Sequence, residues 1–258
     1  MPLLDHPNLL FVVASLVLFL FSELGFRLAL RVHANADEDH HEQLTSIRDS
    51  LAVLLSLLLA FMMAIAVPRF EERRQMAVQD ANAIGTAGLR AQLLPEPQRS
   101  RVLSLLRDYA GNRIDLYRDL TDRTRFQQDL LKSEQLHNAM WEQTVAACTQ
   151  DRSAVCATFL VAMNEVIDMY EKRRSAVENR IPRVIWYLIA FIAVLTSTAF
   201  GFSAKKRRWF SLLAVPLAFA ALAALIADLD SPRSGFIKVS QASMHRTYQG
   251  LNSGVDRP

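Results

Sequence analysis

Residues 51–94 decide the fold, and they read LAVLLSLLLAFMMAIAVPRFEERRQMAVQDANAIGTAGLRAQLL. The part before Pro68 is apolar apart from Ser56, and the part after it mixes charged, polar and small residues. As one helix, this stretch would be about 66 Å long, whereas the hydrocarbon core of a membrane is about 30 Å thick. The stretch therefore predicts a helix that crosses a membrane and continues well into water.

A second long helix is predicted over residues 153–203, with its polar part before Pro182 and its apolar part after it. Segments 9–30, 51–67, 184–201 and 210–227 are long and apolar enough to span a membrane. The expected fold is an all-α membrane protein with four transmembrane helices. The second and third of these should extend into an antiparallel helical bundle outside the membrane.

These elements divide the chain into four parts. We predict a first transmembrane hairpin over residues 1–68, a helical bundle over 69–182, a second hairpin over 183–230 and a C-terminal tail over 231–258. The central part holds 17 Lys or Arg residues against 16 Asp or Glu residues. This balance lacks the basic excess of a nucleic-acid-binding surface, so no nucleic-acid partner is expected.

The basic residues of the short loops predict the orientation. Residues 205–208, Lys-Lys-Arg-Arg, form a wholly basic connection between the third and fourth spans, and Arg27, Arg31 and Arg48 lie between the first two. Short basic loops stay in the cytoplasm. We therefore expect a bacterial inner-membrane protein whose two termini and central bundle are extracytoplasmic. Arginines also flank the membrane on the outer side, but long domains are largely exempt from this rule.

The two cysteines of the chain, Cys148 and Cys156, both fall in the central bundle. In one unbroken helix they would be about 12 Å apart, too far to bond. A turn over residues 149–153 would bring them together across a helical hairpin. A disulfide there would suit an oxidising compartment, and two free thiols are the alternative.

Patterns for metal binding or catalysis are not found. The run 37–42, Asp-Glu-Asp-His-His-Glu, lacks a second histidine at the spacing of a zinc helix and is interpreted as a solvated acidic loop. No nucleophile elbow, phosphate loop or catalytic dyad is present. We expect no enzymatic activity, no metal and no cofactor.

Small residues follow one face of the first long helix beyond the membrane, at Ala77, Ala81, Gly85 and Gly88. Glycine inside a helix costs up to about 1 kcal/mol relative to alanine, so a packing reason is expected. Another helix should approach closely there. It could belong to the same chain or to a neighbouring subunit.

Two shorter amphipathic helices are predicted between the long ones, over about 98–120 and 125–148. Their apolar stripes, together with one on the last helix of the bundle, should form its core. The stripes are Leu103, Leu106, Ala110, Ile114 and Tyr117; Phe126, Leu130, Met140, Trp141 and Val145; and Phe159, Met163, Val166 and Tyr170.

Polar residues are predicted to meet inside the bundle. Asn82 lies 14 residues after Pro68 and Asp168 lies 14 before Pro182, so antiparallel helices would bring them to the same height. By the same count, Thr86 would approach Asn164 and Glu165. This polar seam would fix the register of the helices through hydrogen bonds, or else bind a small ligand or ion.

Several motifs resemble those of a known family: 70–75 (FEERRQ), 81–87 (ANAIGTA), 93–97 (LLPEP), 164–168 (NEVID) and 228–235 (DLDSPRSG). Over nearly the whole chain the sequence is similar to the bestrophin-like family of bacterial membrane proteins. This is a four-span group of unassigned activity whose label implies kinship with pentameric anion channels. The resemblance implies a homo-oligomer in a lipid bilayer and, through that kinship, the passage of ions.

Two functional hypotheses follow. The first is an oligomeric anion channel with the second span lining the pore, and its pore or gate candidates are Ser56, Leu59, Met63 and Pro68. A basic collar would concentrate anions at its mouth; its members are Arg69, Arg73, Arg74, Arg173, Arg174 and Arg180. The alternative is a non-conducting sensor or scaffold whose bundle binds a ligand or partner and moves the spans about hinges at Pro68 and Pro182.

Overall fold

The computed structural model describes residues 2–32, 38–118, 122–204, 209–232 and 235–255. Within these ranges the chain forms a 3-10 turn over Pro2–Asp5 and eight α-helices, which confirms the all-α fold. The helices are α1 (Pro7–Val32), α2 (Glu38–Ala91), α3 (Gln98–Arg118), α4 (Arg123–Gln150), α5 (Ala154–Glu178), α6 (Arg183–Phe202), α7 (Trp209–Asp230) and α8 (Ala242–Val255). The basic connection 205–208, used to predict orientation, lies outside the described residues, as does Asp37.

Helix α2 is a single element of 54 residues that continues through Pro68. It begins earlier than predicted, at Glu38, so most of the run interpreted as an acidic loop is the start of this helix. Proline removes one backbone hydrogen bond from a helix interior but does not end α2 here. Ahead of Pro95 and Pro97, the helix ends at Ala91.

The second predicted long helix, 153–203, is wrong as one element, because residues 179–182 separate α5 from α6. Pro182 disfavours the helical conformation at the residue before it. The freed N–H of Ile181 donates to the Asp230 carboxylate at 3.1 Å, which satisfies it outside a helix. The break therefore has a cause in the sequence and a specific stabilising partner.

The chain divides into two compact units. The membrane unit comprises residues 1–69 and 180–237, and contains α1, the first part of α2, α6 and α7. Among the described residues, four helices are long and apolar enough to cross a membrane, as predicted. Their core centres on Leu55, Leu59 and Met62 of α2 and on Ile189 and Ile226 opposite them.

Helices α1 and α6 approach each other closely along their backbones in the membrane unit. A Cβ atom at Gly25 would overlap the carbonyl oxygen of Thr198, and one at Gly201 would overlap that of Ser22. Small residues allow such close approaches. Inside a membrane, where the hydrophobic effect does not drive helices together, the resulting van der Waals contacts stabilise the helix pair.

The bundle unit comprises residues 70–179 and 238–258. The predicted separation of 231–258 as a tail is therefore wrong, because α8 packs into the bundle as its fifth helix. The predicted stripe of α5 is buried throughout. On α4, however, Trp141 and Val145 are exposed, because the inward stripe carries Ser133, His137 and Thr144 between its apolar residues.

The partner of the small-residue face of α2 is α8 of the same chain. A Cβ atom at Gly88 would lie 2.5 Å from Leu251 Cδ2, and one at Gly85 would lie 3.7 Å from Thr247 Cγ2. The Thr247 hydroxyl also donates to the carbonyl oxygen of Ala81 at 3.1 Å. The choice left open by the sequence is thus resolved in favour of an intrachain contact.

We predict that Gly25→Ala and Gly201→Ala each lower the free energy of unfolding by about 1–3 kcal/mol, because the added methyl group meets backbone that cannot rotate away. Gly250→Ala on α8 is the matched control, since a Cβ atom there meets nothing within 4 Å. It should be neutral or stabilise by up to about 1 kcal/mol. Thermal unfolding of the purified protein in detergent measures all three, and equal effects would contradict the close approach.

Candidate functional site

A buried ionic cluster joins three helices of the bundle unit. Asp80 of α2 accepts hydrogen bonds through Oδ2 from Arg113 Nε of α3 at 2.9 Å and from Arg173 Nη1 of α5 at 2.9 Å. The side chains of Asp80 and Arg113 are fully buried, and that of Arg173 is 3% exposed. One carboxylate therefore pairs with two guanidinium groups out of contact with water, which leaves the trio with one net positive charge.

Aromatic rings and a side-chain amide also contact the two guanidinium groups. The Arg113 guanidinium carbon lies 5.0–5.7 Å from the ring centroids of Tyr109, Tyr117 and Tyr170, and that of Arg173 lies 3.6 Å from the Tyr117 ring. The negative face of an aromatic ring attracts a cation. Gln241, just before α8, accepts a hydrogen bond from Arg173 Nη2 at 2.5 Å. The cluster thus also holds the C-terminal segment of the bundle unit.

Burial and mutual charge shift the pKa values of this cluster. Burial lowers the pKa of Arg173. Burial also acts to lower the pKa of Arg113, but the Asp80 carboxylate, Tyr109 and Tyr117 together outweigh it and raise that pKa. His137, between the rings of Tyr109 and Tyr170, has its pKa lowered to about 4, first by burial and then by the charge of Arg113. The imidazole is therefore neutral at pH 7.

Sequence reasoning missed this cluster because charged residues are usually solvated. A signal was nevertheless present. Asp80 lies on the same helical face as Ala77 and Ile84, and Arg113 follows the apolar stripe of Leu106 and Ala110, all of which are buried. Opposite charges on the apolar stripes of α2 and α3, at Asp80 and Arg113, could have suggested a buried ion pair.

The predicted polar seam does not lie inside the bundle. Asn82, Thr86, Asn164, Glu165 and Asp168 are all exposed, because the faces of α2 and α5 that carry them point away from the core. Among these, Glu165 pairs with Lys172 at 3.2 Å on the surface. Register is fixed instead by the Asp80 cluster and by the hydrogen bond from Asn112 Nδ2 to Ser133 Oγ, 2.7 Å long, between α3 and α4.

The predicted basic collar is not a ring of free cations. In the bundle unit Arg73 and Arg173 are buried, and Arg74 and Arg174 pair on the surface with Glu71 and Glu178.

In the membrane unit, Arg69 and Arg180 approach the buried Asp230 at 3.8 and 3.7 Å, and Arg180 also pairs with Asp5. These members of the collar therefore stabilise the fold locally, and their charges are largely offset.

The pore candidates on α2 lie on different faces of the helix. Leu59 is 1% exposed in the core of the membrane unit and Met63 packs partly against that core, so the prediction that Leu59 faces a pore is wrong. Ser56 and Pro68 are exposed. The helical period of 3.6 residues explains the error, since Leu59 lies on the buried face, about 180° around the helix from Pro68.

Cys148 and Cys156 form a disulfide that closes the α4–α5 hairpin. The chain reverses over residues 151–153, where the Ser153 hydroxyl accepts the backbone N–H of Cys156 and caps α5. No group of three or more His, Cys, Asp or Glu side chains in the described part of the chain is placed to hold a metal ion.

Comparison with known proteins identifies the fold. The model of the bestrophin-like domain matches residues 14–244. A crystal structure of a bestrophin homologue from Klebsiella pneumoniae, with one leucine replaced by threonine, is 12% identical with a TM-score of 0.72, covering 96% of this chain and 99% of the other. Another, phased with zinc, is 13% identical with a TM-score of 0.70 and the same coverage. None of the curated proteins compared with this sequence matches it.

We predict that Asp80→Asn lowers the free energy of unfolding by about 3–5 kcal/mol, because it leaves two buried guanidinium groups without an anion. Glu165→Gln, which breaks the surface pair with Lys172, is the control and should change it by about 1 kcal/mol or less. Denaturation of both variants in detergent tests this. Similar losses in the two would show that the buried cluster is not a main source of stability.

We predict that the bundle unit loses stability as pH falls from 6.5 to about 4. In this window the unfolded chain protonates His137 while the folded chain does not, so the full contribution is present only above pH 6.5. The loss is at most about 3 kcal/mol. His137→Gln should remove this part of the pH dependence of the unfolding temperature. Parallel curves for wild type and variant would contradict it.

Proposed function

Since the chain belongs to the bestrophin-like family, we propose that it forms a homo-oligomeric ion channel in a lipid bilayer, conducting anions, with α2 lining the pore. The fold supports this proposal, since it is that of the Klebsiella bestrophin homologue over nearly the full length of both chains.

The observation that carries the proposal is the exposure of α2. Only 22% of its most apolar segment is buried within the chain, against 39% for those of α1 and α7. A span that is so little buried by its own chain is suited to packing against copies of itself, arranged around a symmetry axis.

The outward stripe of α2 refines the pore candidates. Counting at 100° per residue, Leu57, Ala64 and Pro68 lie opposite the buried face, and Asn82 and Thr86 continue the same stripe beyond the apolar segment. All five are exposed. We therefore replace Leu59 by Leu57 and Ala64 in the proposed wall, which is apolar within the membrane and would gate by dewetting. The residues of the predicted seam on α2 become polar pore groups.

The preference for anions rests on the family resemblance. The collar does not add to it, because Arg69 and Arg180 face Asp230, and Arg74 faces Glu71. A mouth whose charges are offset concentrates neither sign of ion.

The sensor or scaffold remains the alternative, favoured by one observation. The non-helical segment at 179–182 could act as a hinge between α5 and α6, whereas α2 has no break at Pro68. Of the two hinges predicted for a sensor, only the one at Pro182 would then be available.

Single-channel recording in planar bilayers tests the channel. We predict that a negatively charged methanethiosulfonate reduces the unitary current severalfold in Leu57→Cys and Asn82→Cys, since modification places a charge on the pore wall. Leu59→Cys is the matched control, because its side chain is buried. Both native cysteines are in the disulfide, so no other thiol reacts.

Two outcomes would overturn the channel. These are the absence of unitary currents from a monomeric particle, and equal inhibition of Leu59→Cys. A reversal potential that does not follow a chloride gradient would overturn anion selectivity alone.

We also propose that the bundle unit and both termini lie outside the cytoplasm of a bacterium, with the spans in its inner membrane. The disulfide supports this, since disulfides persist in oxidising compartments.

Labelling of spheroplasts with an impermeant maleimide tests the orientation. After impermeant reductant, Cys148, which is partly exposed, should react without permeabilisation. A cysteine at Ser46 in a Cys148→Ser, Cys156→Ser background should react only after permeabilisation. The reverse pattern would invert the topology.

A further inference from the structure

The membrane unit holds an apolar cavity of about 210 Å³ between its helices. Its walls include Leu10 of α1, Leu55 of α2, Ala193 of α6 and Phe219 of α7, and almost none of its lining is polar. Water does not occupy such a space, because each molecule needs about 2–4 polar partners. A hydrocarbon chain is the occupant that fits this lining.

One hydrogen-bond donor in the cavity wall lacks an acceptor. Trp186 lines the cavity in the first turn of α6 and is 7% exposed. Its buried Nε1–H has no hydrogen-bond partner among the described residues. A buried indole N–H usually has one, and tryptophan is enriched at the membrane interface, where one end is apolar and the other polar.

A cation lies one helical turn before this donor. Arg183 is the first residue of α6, is exposed, and makes no ion pair with any residue in the described ranges. Arg183, Trp186, Ala190 and Ala193 follow one another at spacings of three or four, so they share one face of α6. Along this face a positive charge, a hydrogen-bond donor and an apolar cavity come in order of increasing depth.

We propose that this cavity binds one acyl chain of a membrane glycerophospholipid, with an ester carbonyl accepting the Trp186 N–H and the phosphate pairing with Arg183. The order of the three features matches the order of phosphate, ester and hydrocarbon in such a lipid. The charge of Arg183 selects a phosphate over an uncharged headgroup. Leu55 and Leu59 of α2 line the same cavity, so the bound chain also contacts the span proposed to line the pore.

Native mass spectrometry of the full-length protein in mild detergent, titrated with phosphatidylglycerol, tests this site. The wild type should retain one lipid per chain. Ala193→Phe, which fills the cavity, and Arg183→Gln, which removes the charge, should each weaken retention about tenfold. Leu188→Phe is the matched control, because Leu188 is exposed on α6 and does not line the cavity. It should retain lipid as the wild type does.

Arg183→Gln changes an exposed side chain and keeps the test decisive where Ala193→Phe fails to fold. Retention by Arg183→Gln equal to that of the wild type would overturn the phosphate contact and with it the proposal. Equal loss in Leu188→Phe would do the same, since the bound lipid would then be part of a general annulus. Neither result depends on channel activity.

Discussion

The sharing of one buried carboxylate between two arginines is the constraint on which the bundle unit depends. Asp80, Arg113 and Arg173 come from three different helices, and Gln241 adds the segment before α8. Buried ion pairs need excellent geometry and full hydrogen bonding to offset their desolvation. Because a guanidinium offers its donors in a fixed plane, these contacts restrict both the spacing and the rotation of the helices that carry them. The apolar core alone would tolerate more than one arrangement.

The sequence predicted the apolar architecture well, because membrane spans and amphipathic stripes are read from residue type alone. The spans on α1, α2, α6 and α7 and the inner stripe of α5 follow from this. The prediction failed where contacts between residues far apart in the sequence determine which side chains are buried. Two charges of the Asp80 cluster lie on stripes that looked apolar. The tail looked separate because α8 buries itself against glycines far away in the chain.

The two prolines show the limit of local rules. The sensor hypothesis assigned a hinge to both Pro68 and Pro182. Pro68 is tolerated within α2, whereas Pro182 separates two helices. The difference lies in the surroundings, because Asp230 accepts the N–H of Ile181 and stabilises the non-helical segment. A carboxylate about fifty residues away in the sequence thus stabilises the break at Pro182, and no local window contains that information.

The contact of α1 with α6 at Gly25 and Gly201 bears on how the spans could rearrange. Two backbones in direct contact cannot slide or rotate past each other without steric collision, because no side chain lies between them to change rotamer. These two helices should therefore move together as one rigid body in any rearrangement of the spans. Any displacement would instead involve a span that contacts its neighbours through side chains, which can change rotamer. Helix α2, whose apolar segment is the least buried of the four described spans, is such a span.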